Sequence, residues 1–121
     1  MKGQRLFVRP IGDGDGDADA LRAFAARHGG APSPRAGLLG KLVGELVAVL
    51  TTELEPDTIR VVDLVVAEEL RRKRVGRVML NELAMLAATM ERQWLVADVT
   101  HRTFLERVGF IEVGGVMKRR V

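Results

Sequence analysis

The sequence predicts a single α/β domain, residues 1–121, built on a mixed, mostly antiparallel central sheet flanked by helices. Its 121 residues are the length of one domain. Segments rich in β-branched residues alternate with segments whose apolar residues recur at helical spacing. No internal repeat and no interdomain linker interrupts this alternation. The predicted element order is β-α-β-β-β-α-β-α-β.

The first half of the chain predicts a strand, a helix and two further strands. Residues 5–9 alternate with period two until Pro10, which lacks the amide hydrogen that a strand needs. Gly29-Gly30 ends the first helix. A turn near Gly40 or Gly44 separates the two strands that follow. The predicted ranges are a strand over 5–9, a helix over 19–28, a linker over 31–34, and strands over 37–41 and 42–51.

The second half predicts a central strand, a long helix and a final strand or hairpin. Residues 58–66 are β-branched and nearly apolar throughout, which is typical of a buried central strand. The apolar residues of 75–91 recur at helical spacing, and Met79, Met85 and Met90 belong to this core stripe rather than to a metal site. The predicted ranges are a turn over 53–57, a strand over 58–66, a helix over 75–91, a strand over 94–99, a short helix over 100–108 and a strand or hairpin over 109–121.

The composition excludes several classes of protein and site. The chain has no Cys, which excludes disulfide scaffolds, thiolate zinc sites and Cys nucleophiles. It has no Tyr, and aromatic residues make up 4% of it, so an aromatic-rich nucleic-acid face is not expected. The acidic run over 12–19 lacks the Glu that closes a calcium-binding EF-hand loop, so we expect no metal site and assign the run to a turn before the first helix.

Charge and hydropathy bear on ligands and location. The net charge of +3 and the pI of about 9.9 suit an anionic ligand without implying nucleic acid. No stretch approaches the ~20 apolar residues that span a bilayer, and the first ten residues contain no secretory leader. These observations predict a cytoplasmic protein with no membrane partner.

The junction between the central strand and the long helix is the segment most suited to chemistry. Five of the seven residues over 71–77 are basic, and the helix begins immediately after them. A helix start presents unsatisfied amide groups and the positive end of the helix dipole, an arrangement that suits a pyrophosphate. A solvated basic helix start without a ligand, and a nucleic-acid-binding cluster over Arg71–Arg77, are the alternatives.

Three segments in this half of the chain resemble motifs of the GNAT family of acyl-CoA-dependent N-acetyltransferases. The family's signature is Arg/Gln-x-x-Gly-x-Gly/Ala after a central strand, and residues 71–76 read Arg-Arg-Lys-Arg-Val-Gly. Residues 66–69 read Val-Ala-Glu-Glu, which resembles the family's Val-x-Pro-Glu. Residues 104–110 read Phe-Leu-Glu-Arg-Val-Gly-Phe and resemble the family's C-terminal helix-to-strand motif. The element order agrees along the whole chain.

The resemblance implies a GNAT-like acyl-CoA-binding domain with acetyl-CoA as co-substrate and no metal. Main-chain amides from about Arg72 to Arg77 would cradle the pyrophosphate, and the central strand would bind the pantetheine arm. The strand holding Val96 would diverge from it to open the acyl site. Asp98 would contact the arm or cap the next helix, with capping the simpler role. The implied cofactor-binding residues are Leu64, Val65, Val66, Arg71, Arg72, Lys73, Arg74, Val75, Gly76, Arg77 and Asp98.

Glu68 stands where the family usually has Pro, and two further departures from the family pattern bear on function. Arg74 replaces the first glycine of the signature, and we expect it to have a negative φ, where an Arg costs little and adds a phosphate contact. Leu105 stands where many relatives carry a Tyr thought to protonate the departing thiolate. Transfer does not depend on that acid alone, because positioning of amine and thioester supplies much of the rate.

The proton of the attacking amine must still be removed, by a side chain or by water. Asp63 is one candidate, because its carboxylate lies in an otherwise apolar strand, and apolar surroundings favour the uptake of a proton by a carboxylate. An Asp63 paired with an Arg is the alternative. Glu53 and Glu45 are candidates for binding a cationic substrate, and the imidazole of His101 is a candidate near the thiolate exit. His28 is expected only to complement the dipole at the end of its helix.

The leading functional hypothesis is therefore direct transfer of an acetyl group from acetyl-CoA to an unidentified amine acceptor, a small molecule or a protein. Only residues 31–36 separate the first helix from the next strand, so the family's second N-terminal helix is expected to be shortened or missing. A homodimer partner could complete the acceptor pocket. The alternatives are a catalytically silent GNAT-like module that binds CoA or a protein, and the nucleic-acid-binding module.

Overall fold

The computed structural model of the protein describes residues 6–11, 15–29, 37–71 and 74–121, and within them the main chain forms one seven-stranded sheet with helices on both faces. The strands are β1 (Leu6–Pro10), β2 (Gly37–Leu42), β3 (Glu45–Glu55), β4 (Thr58–Val66), β5 (Trp94–Ala97), β6 (Ile111–Val113) and β7 (Val116–Arg120). The helices are α1 (Asp15–His28), α2 (Val75–Thr89) and α3 (Arg102–Arg107), with short 3-10 turns at Glu68–Leu70 and Val99–His101.

The strands lie in the order β1-β2-β3-β4-β5-β7-β6. Every neighbouring pair is antiparallel except β4 and β5, which are parallel and are connected through α2. The expected α/β fold class and mixed, mostly antiparallel sheet are therefore confirmed. The C-terminal segment is the hairpin β6–β7, the second of the two forms allowed for it by the sequence.

The larger core lies between α2, α3 and one face of the sheet. Alternate residues of β3 and β5 point into it, including the fully buried Leu50 and Leu95. They meet the stripe of α2, in which Met79 and Leu83 are fully buried one turn apart. The helical periodicity of the sequence therefore marks the buried side of α2 correctly at Met79 and Leu83. The assignment of Met85 to the same core stripe is wrong, because Met85 is two positions after Leu83, on the opposite side of the helix, and is 57% exposed.

The smaller core lies between α1 and the other face of the sheet. Leu21 and Phe24 of α1 are buried against Leu39 of β2 and Val49 of β3. A small cavity lies on this face of the sheet, and its walls are formed by α1, β3 and β4.

The turn between β2 and β3 lies at Val43-Gly44. Leu42 pairs with Glu45, and both intervening residues have positive φ, 52° for Val43 and 78° for Gly44. Gly40, the alternative turn position, lies inside β2, and a Cβ there would lie 2.9 Å from Met79 Sδ. The glycine at 40 thus serves close packing between the sheet and α2.

Other element boundaries shift by a few residues. Helix α1 begins at Asp15 rather than at residue 19, and α2 ends at Thr89 rather than at 91. The linker predicted over 31–34, and Arg5 at the start of the first predicted strand, lie outside the described residues. None of the helices seen in the described ranges is long and apolar enough to cross a membrane.

Candidate cofactor cleft and acceptor cavity

The parallel strands β4 and β5 separate at their carboxyl ends. Their pairing runs from Thr58 with Trp94 to Val61 with Ala97 and stops there. Strand β4 continues to Val66, whereas the chain after β5 turns away into the 3-10 turn at Val99–His101. The expected divergence of the strand holding Val96 is therefore present, and it leaves a cleft along one edge of β4.

The hydrogen-bond register identifies which residues of β4 face this cleft. The amide of Ala67 donates to the carbonyl of Val47 at 2.7 Å, and Val65 lies opposite Val49 two positions earlier. In an antiparallel pair, hydrogen-bonded positions alternate with positions whose polar groups point outward. Val65 therefore pairs with β3, while Leu64 and Val66 direct their main-chain amide and carbonyl groups toward the cleft.

Helix α2 begins beside the end of β4, and Arg74 is its N-terminal cap. Arg74 has φ 65° and ψ 10°, so the expectation of a negative φ is wrong. Arg71 is extended, with φ −64° and ψ 146°, and the left-handed Arg74 directly precedes Val75, the first residue of the helix. A residue with a Cβ costs roughly 1–2 kcal/mol in this conformation, which explains why the family signature has a glycine there.

The first turn of α2 offers amides for an anion. Among the described residues no side chain caps this end of the helix, and its first turn contains no acidic residue. The exposed side chains of Arg74 and Arg77 add positive charge beside it. Arg72 and Lys73, which the resemblance also assigns to the cofactor, lie outside the described residues.

Gly76 brings the two sequence motifs into contact. A Cβ at this position would lie 3.0 Å from Phe104 Cζ and 3.4 Å from Leu64 Cδ2. The glycine therefore lets both α3 and β4 approach the start of α2. Arg77 reinforces this contact by donating from Nη2 to the carbonyl of Arg107 at 2.8 Å.

The side chain of Arg71 reaches two main-chain carbonyls on different elements. Its Nε donates to the carbonyl of Val66 at 3.2 Å, and Nη2 donates to the carbonyl of His28 at 3.4 Å. The Nδ1 atom of His28 in turn accepts from the amide of Glu68 at 3.4 Å. His28 is thus more than the dipole partner expected of it, because it joins α1 to the segment that follows β4.

Asp63 lies on the face of the sheet that α1 partly covers. It is half-buried and lines a cavity of about 10 Å³, which has room for one water molecule. Its partner across β3 is the buried Thr51. The other lining residues are Phe24, Ala25, Gly29, Val49 and Val65.

The other carboxylate candidates lie at different distances along β3. Glu53 is exposed, opposite Arg60, and shares the face of Thr51 because it is two positions further along the strand. Arg60 bonds instead to Glu55, with Nε to Oε2 at 3.2 Å. Glu45 lies at the opposite end of β3, before its pairing with β4 begins at Ala48. Glu53 thus lies on the same face of the sheet as Asp63 and near it along β3, whereas Glu45 lies at the far end of that strand.

Asp98 and His101 lie on the β5 side of the cleft. The Oδ1 atom of Asp98 accepts from the amide of Thr100 at 2.8 Å and from its hydroxyl at 2.5 Å, so the expected capping role is confirmed. The hydrogen bonds from the Thr100 side chain and main chain hold the pKa of Asp98 below its ordinary value, and nearby His101 lowers it further. His101 itself is exposed at the start of α3.

Leu105 occupies a core position rather than a position in the cleft. It is 5% exposed and packs with Val108 and Phe110 in the larger core. The departure from the family pattern therefore replaces a proton donor with a packing residue.

Comparison with known proteins decides the family. A model of the acetyltransferase (GNAT) family matches residues 6–110. The chain belongs to this family. It is accordingly a GNAT acetyltransferase with acetyl-CoA as its acetyl donor. No curated protein sequence matches the chain significantly.

Solved structures of other GNAT proteins share the fold at low sequence identity. The ribosomal-protein-S18-alanine N-acetyltransferase from Escherichia coli has a TM-score of 0.79 and 15% identity, covering 97% of this chain and 94% of that one. Ard1 from Thermoplasma volcanium has a TM-score of 0.74 and 13% identity, covering 96% and 97%. A GNAT family acetyltransferase from Elizabethkingia anophelis with acetyl-CoA bound has a TM-score of 0.67 and 13% identity, covering 96% and 98%.

Sequence reasoning missed two features of this GNAT protein. The contact of Arg71 with the end of α1 joins residues 43 positions apart, and neither segment carries a pattern that points to the other. The place of Thr51 beside Asp63 depends on the register of β3 and β4. The predicted shortening or loss of the second N-terminal helix concerns residues 30–36, which lie outside the described residues.

Proposed function

We propose that this GNAT protein transfers the acetyl group directly from acetyl-CoA to an amine, without a covalent acyl-enzyme. The observation that carries the proposal is the cleft between β4 and β5, which opens beside an uncapped helix start flanked by basic side chains. The absence of any Cys from the chain removes the thiol route to an acyl-enzyme.

The cofactor-binding residues divide between the helix start and the strand edge. The main-chain amides of Val75, Gly76 and Arg77 are available to pyrophosphate oxygens, because no side chain described here caps them. Leu64 and Val66 present amide and carbonyl groups to the amide-containing pantetheine arm. The thioester would then lie where β4 and β5 separate, beyond Val61 and Ala97.

We assign proton removal to Asp63. In the reaction the amine nitrogen attacks the thioester carbonyl carbon, the C–S bond breaks, and the thiolate leaves with the electron pair. The proton lost by the amine passes to the carboxylate of Asp63, directly or through the one water that its cavity can hold. With Leu105 buried, the thiolate takes its proton from water. Glu53 is the alternative carboxylate on the same face.

The acceptor side of the site is open to solvent. This favours a large acceptor, or a second copy of the chain that supplies the missing wall of the acceptor site. The chain between α1 and β2 is short, and the cavity beside Asp63 has room for one water molecule, so most of an acceptor would lie outside it with only its amine group at the cavity mouth. A structural neighbour acts, by its name, on the alanine of ribosomal protein S18. A peptide with an N-terminal alanine is therefore the first acceptor to test. We place the reaction in the cytoplasm.

The test combines acetyl-CoA binding with thiol release. Calorimetric titration of acetyl-CoA measures binding, and a thiol reagent measures transfer to peptide amines, polyamines and amino acids. The chain contributes no background thiol because it has no Cys. We expect Asp63→Asn to lower kcat by about 10²–10⁴-fold, with the Kd of acetyl-CoA unchanged. Glu53→Gln is the matched control and should retain most of the activity.

Two outcomes would contradict the proposal. Binding of acetyl-CoA without thiol release across the amine panel would identify a silent CoA-binding module. Absence of binding at millimolar acetyl-CoA would overturn both the transfer and the cofactor assignment.

A further inference from the structure

Two hydrogen bonds connect His28, the last residue of α1, to the segment that leaves β4, and a third connects that segment to the end of β4. The guanidinium of Arg71 holds the carbonyls of His28 and Val66 at 3.4 and 3.2 Å. The remaining bond runs from the amide of Glu68 to His28 Nδ1 at 3.4 Å. Both the main chain and the side chain of His28 are therefore fixed from the cofactor side of the molecule.

The two carbonyls held by Arg71 belong to two different parts of the site. The carbonyl of Val66 lies on the edge of β4 that faces the cofactor cleft. The carbonyl of His28 directly precedes Gly29, which lines the cavity beside Asp63. One side chain thus connects the cleft edge of β4 to the residue that directly precedes the cavity wall.

The ring of His28 extends the same connection into the cavity wall. It lies 4.7 Å, centroid to centroid, from the ring of Phe24, which also lines the cavity. A shift of the Arg71 side chain would therefore move the main chain at His28, and with it the ring that packs against Phe24 in the cavity wall.

Arginine suits this connection best. Its planar fork presents Nε and Nη donors in different directions, so it can reach two carbonyls at once. A glutamine, which the family signature also permits, and a lysine each carry all their donor hydrogens on a single nitrogen, and the glutamine stem is shorter. We expect either of them to hold the two carbonyls less well than arginine, whose Nε and Nη2 are separate donors.

We propose, building on the proposed acetyl transfer, that Arg71 is a positioning residue for the acceptor cavity. It holds the end of α1 over Asp63 and transmits occupancy of the cofactor cleft, through Val66, to the cavity wall. Arg71 then determines the KM of the amine, whereas Arg74, Arg77 and the helix amides determine the affinity for acetyl-CoA.

The kinetic test compares Arg71→Ala, Arg71→Gln and Arg22→Ala, with the best amine of the panel as acceptor. Arg22 is a matched control because it is an exposed arginine of α1 that pairs with Asp19. We expect Arg71→Ala to raise the amine KM about fivefold, as two lost exposed hydrogen bonds imply. The kcat and the Kd of acetyl-CoA should change less than twofold. Arg71→Gln should recover part of the loss, and Arg22→Ala should show none.

The kinetic result can also overturn the inference. A large rise in the Kd of acetyl-CoA with an unchanged amine KM would make Arg71 a phosphate ligand. Equal losses in all parameters, accompanied by a lower melting temperature, would make its role merely structural.

Hydrogen exchange provides an arm that does not depend on turnover. Amides of residues 25–29 should exchange at least fivefold faster in Arg71→Ala than in the wild type, and acetyl-CoA should slow them only in the wild type. If no amine is acetylated, the proposed function fails, and the hydrogen-exchange comparison alone decides whether Arg71 positions the end of α1. Equal exchange in wild type and Arg71→Ala would then overturn the positioning role.

Discussion

Replacing Arg74 with glycine is expected to stabilise the protein. Arg74 has φ 65° and is exposed, and its side chain makes no capping hydrogen bond. The left-handed conformation costs a residue with a Cβ roughly 1–2 kcal/mol, and the extra freedom of glycine in the unfolded chain offsets roughly 0.5–1 kcal/mol of that. The net gain is about 0.5–1 kcal/mol, which for a domain of this size raises Tm by about 2–4 °C.

Arg74→Ala is the control for this prediction, because it removes the same charge but keeps a Cβ at positive φ. Thermal unfolding followed by circular dichroism should show a higher Tm for the glycine variant alone. Both variants should bind acetyl-CoA more weakly, by up to about fivefold, because each loses one exposed cation beside the helix start. If the two variants melt at the same temperature, backbone strain at Arg74 is not what limits stability.

Three further predictions concern the turn, the packing and the cap. Val43→Asn should raise the free energy of unfolding, measured with urea, by about 1 kcal/mol, because Asn-Gly suits a two-residue turn with positive φ at both positions; an unchanged or lower value would contradict the turn assignment. Gly40→Ala should cost about 1–3 kcal/mol, since its Cβ would crowd Met79, and a melting curve matching the wild type would refute that contact. Asp98 has a lowered pKa, so its carboxylate stabilises the fold above the unfolded-state pKa and this contribution is lost as the pH falls through the folded-state value. Asp98→Asn should therefore weaken the loss of stability as the pH falls below the ordinary Asp pKa value of 3.8, and an identical acid titration would show that the cap does not contribute.

Much of the fold could be predicted from local pattern. The alternation of β-branched and helical segments predicts the elements, and the buried stripe of α2 follows the predicted spacing at Met79 and Leu83. The family motifs also predict the cleft, because both lie on elements adjacent to the parallel pair β4–β5. The φ of Arg74 could not be predicted in this way, since it depends on the angle between the end of β4 and the start of α2.

The chemistry excluded by composition needed no structure at all. Without Cys there is no thiolate nucleophile, and without Tyr no phenol can serve as an acid anywhere in the chain. These statements hold for any fold that the sequence could adopt, because they concern which functional groups exist.

Tertiary structure alone decided where the remaining groups meet. The register of β3 and β4 directs the main-chain groups of Leu64 and Val66, but not those of Val65, toward the cleft. It also pairs Asp63 with Thr51, far along β3 from Glu45. The docking of α1 places His28 within reach of Arg71 across 43 residues of sequence. Register and docking are set by the packing of both faces of the sheet together, so no local segment of the sequence contains them.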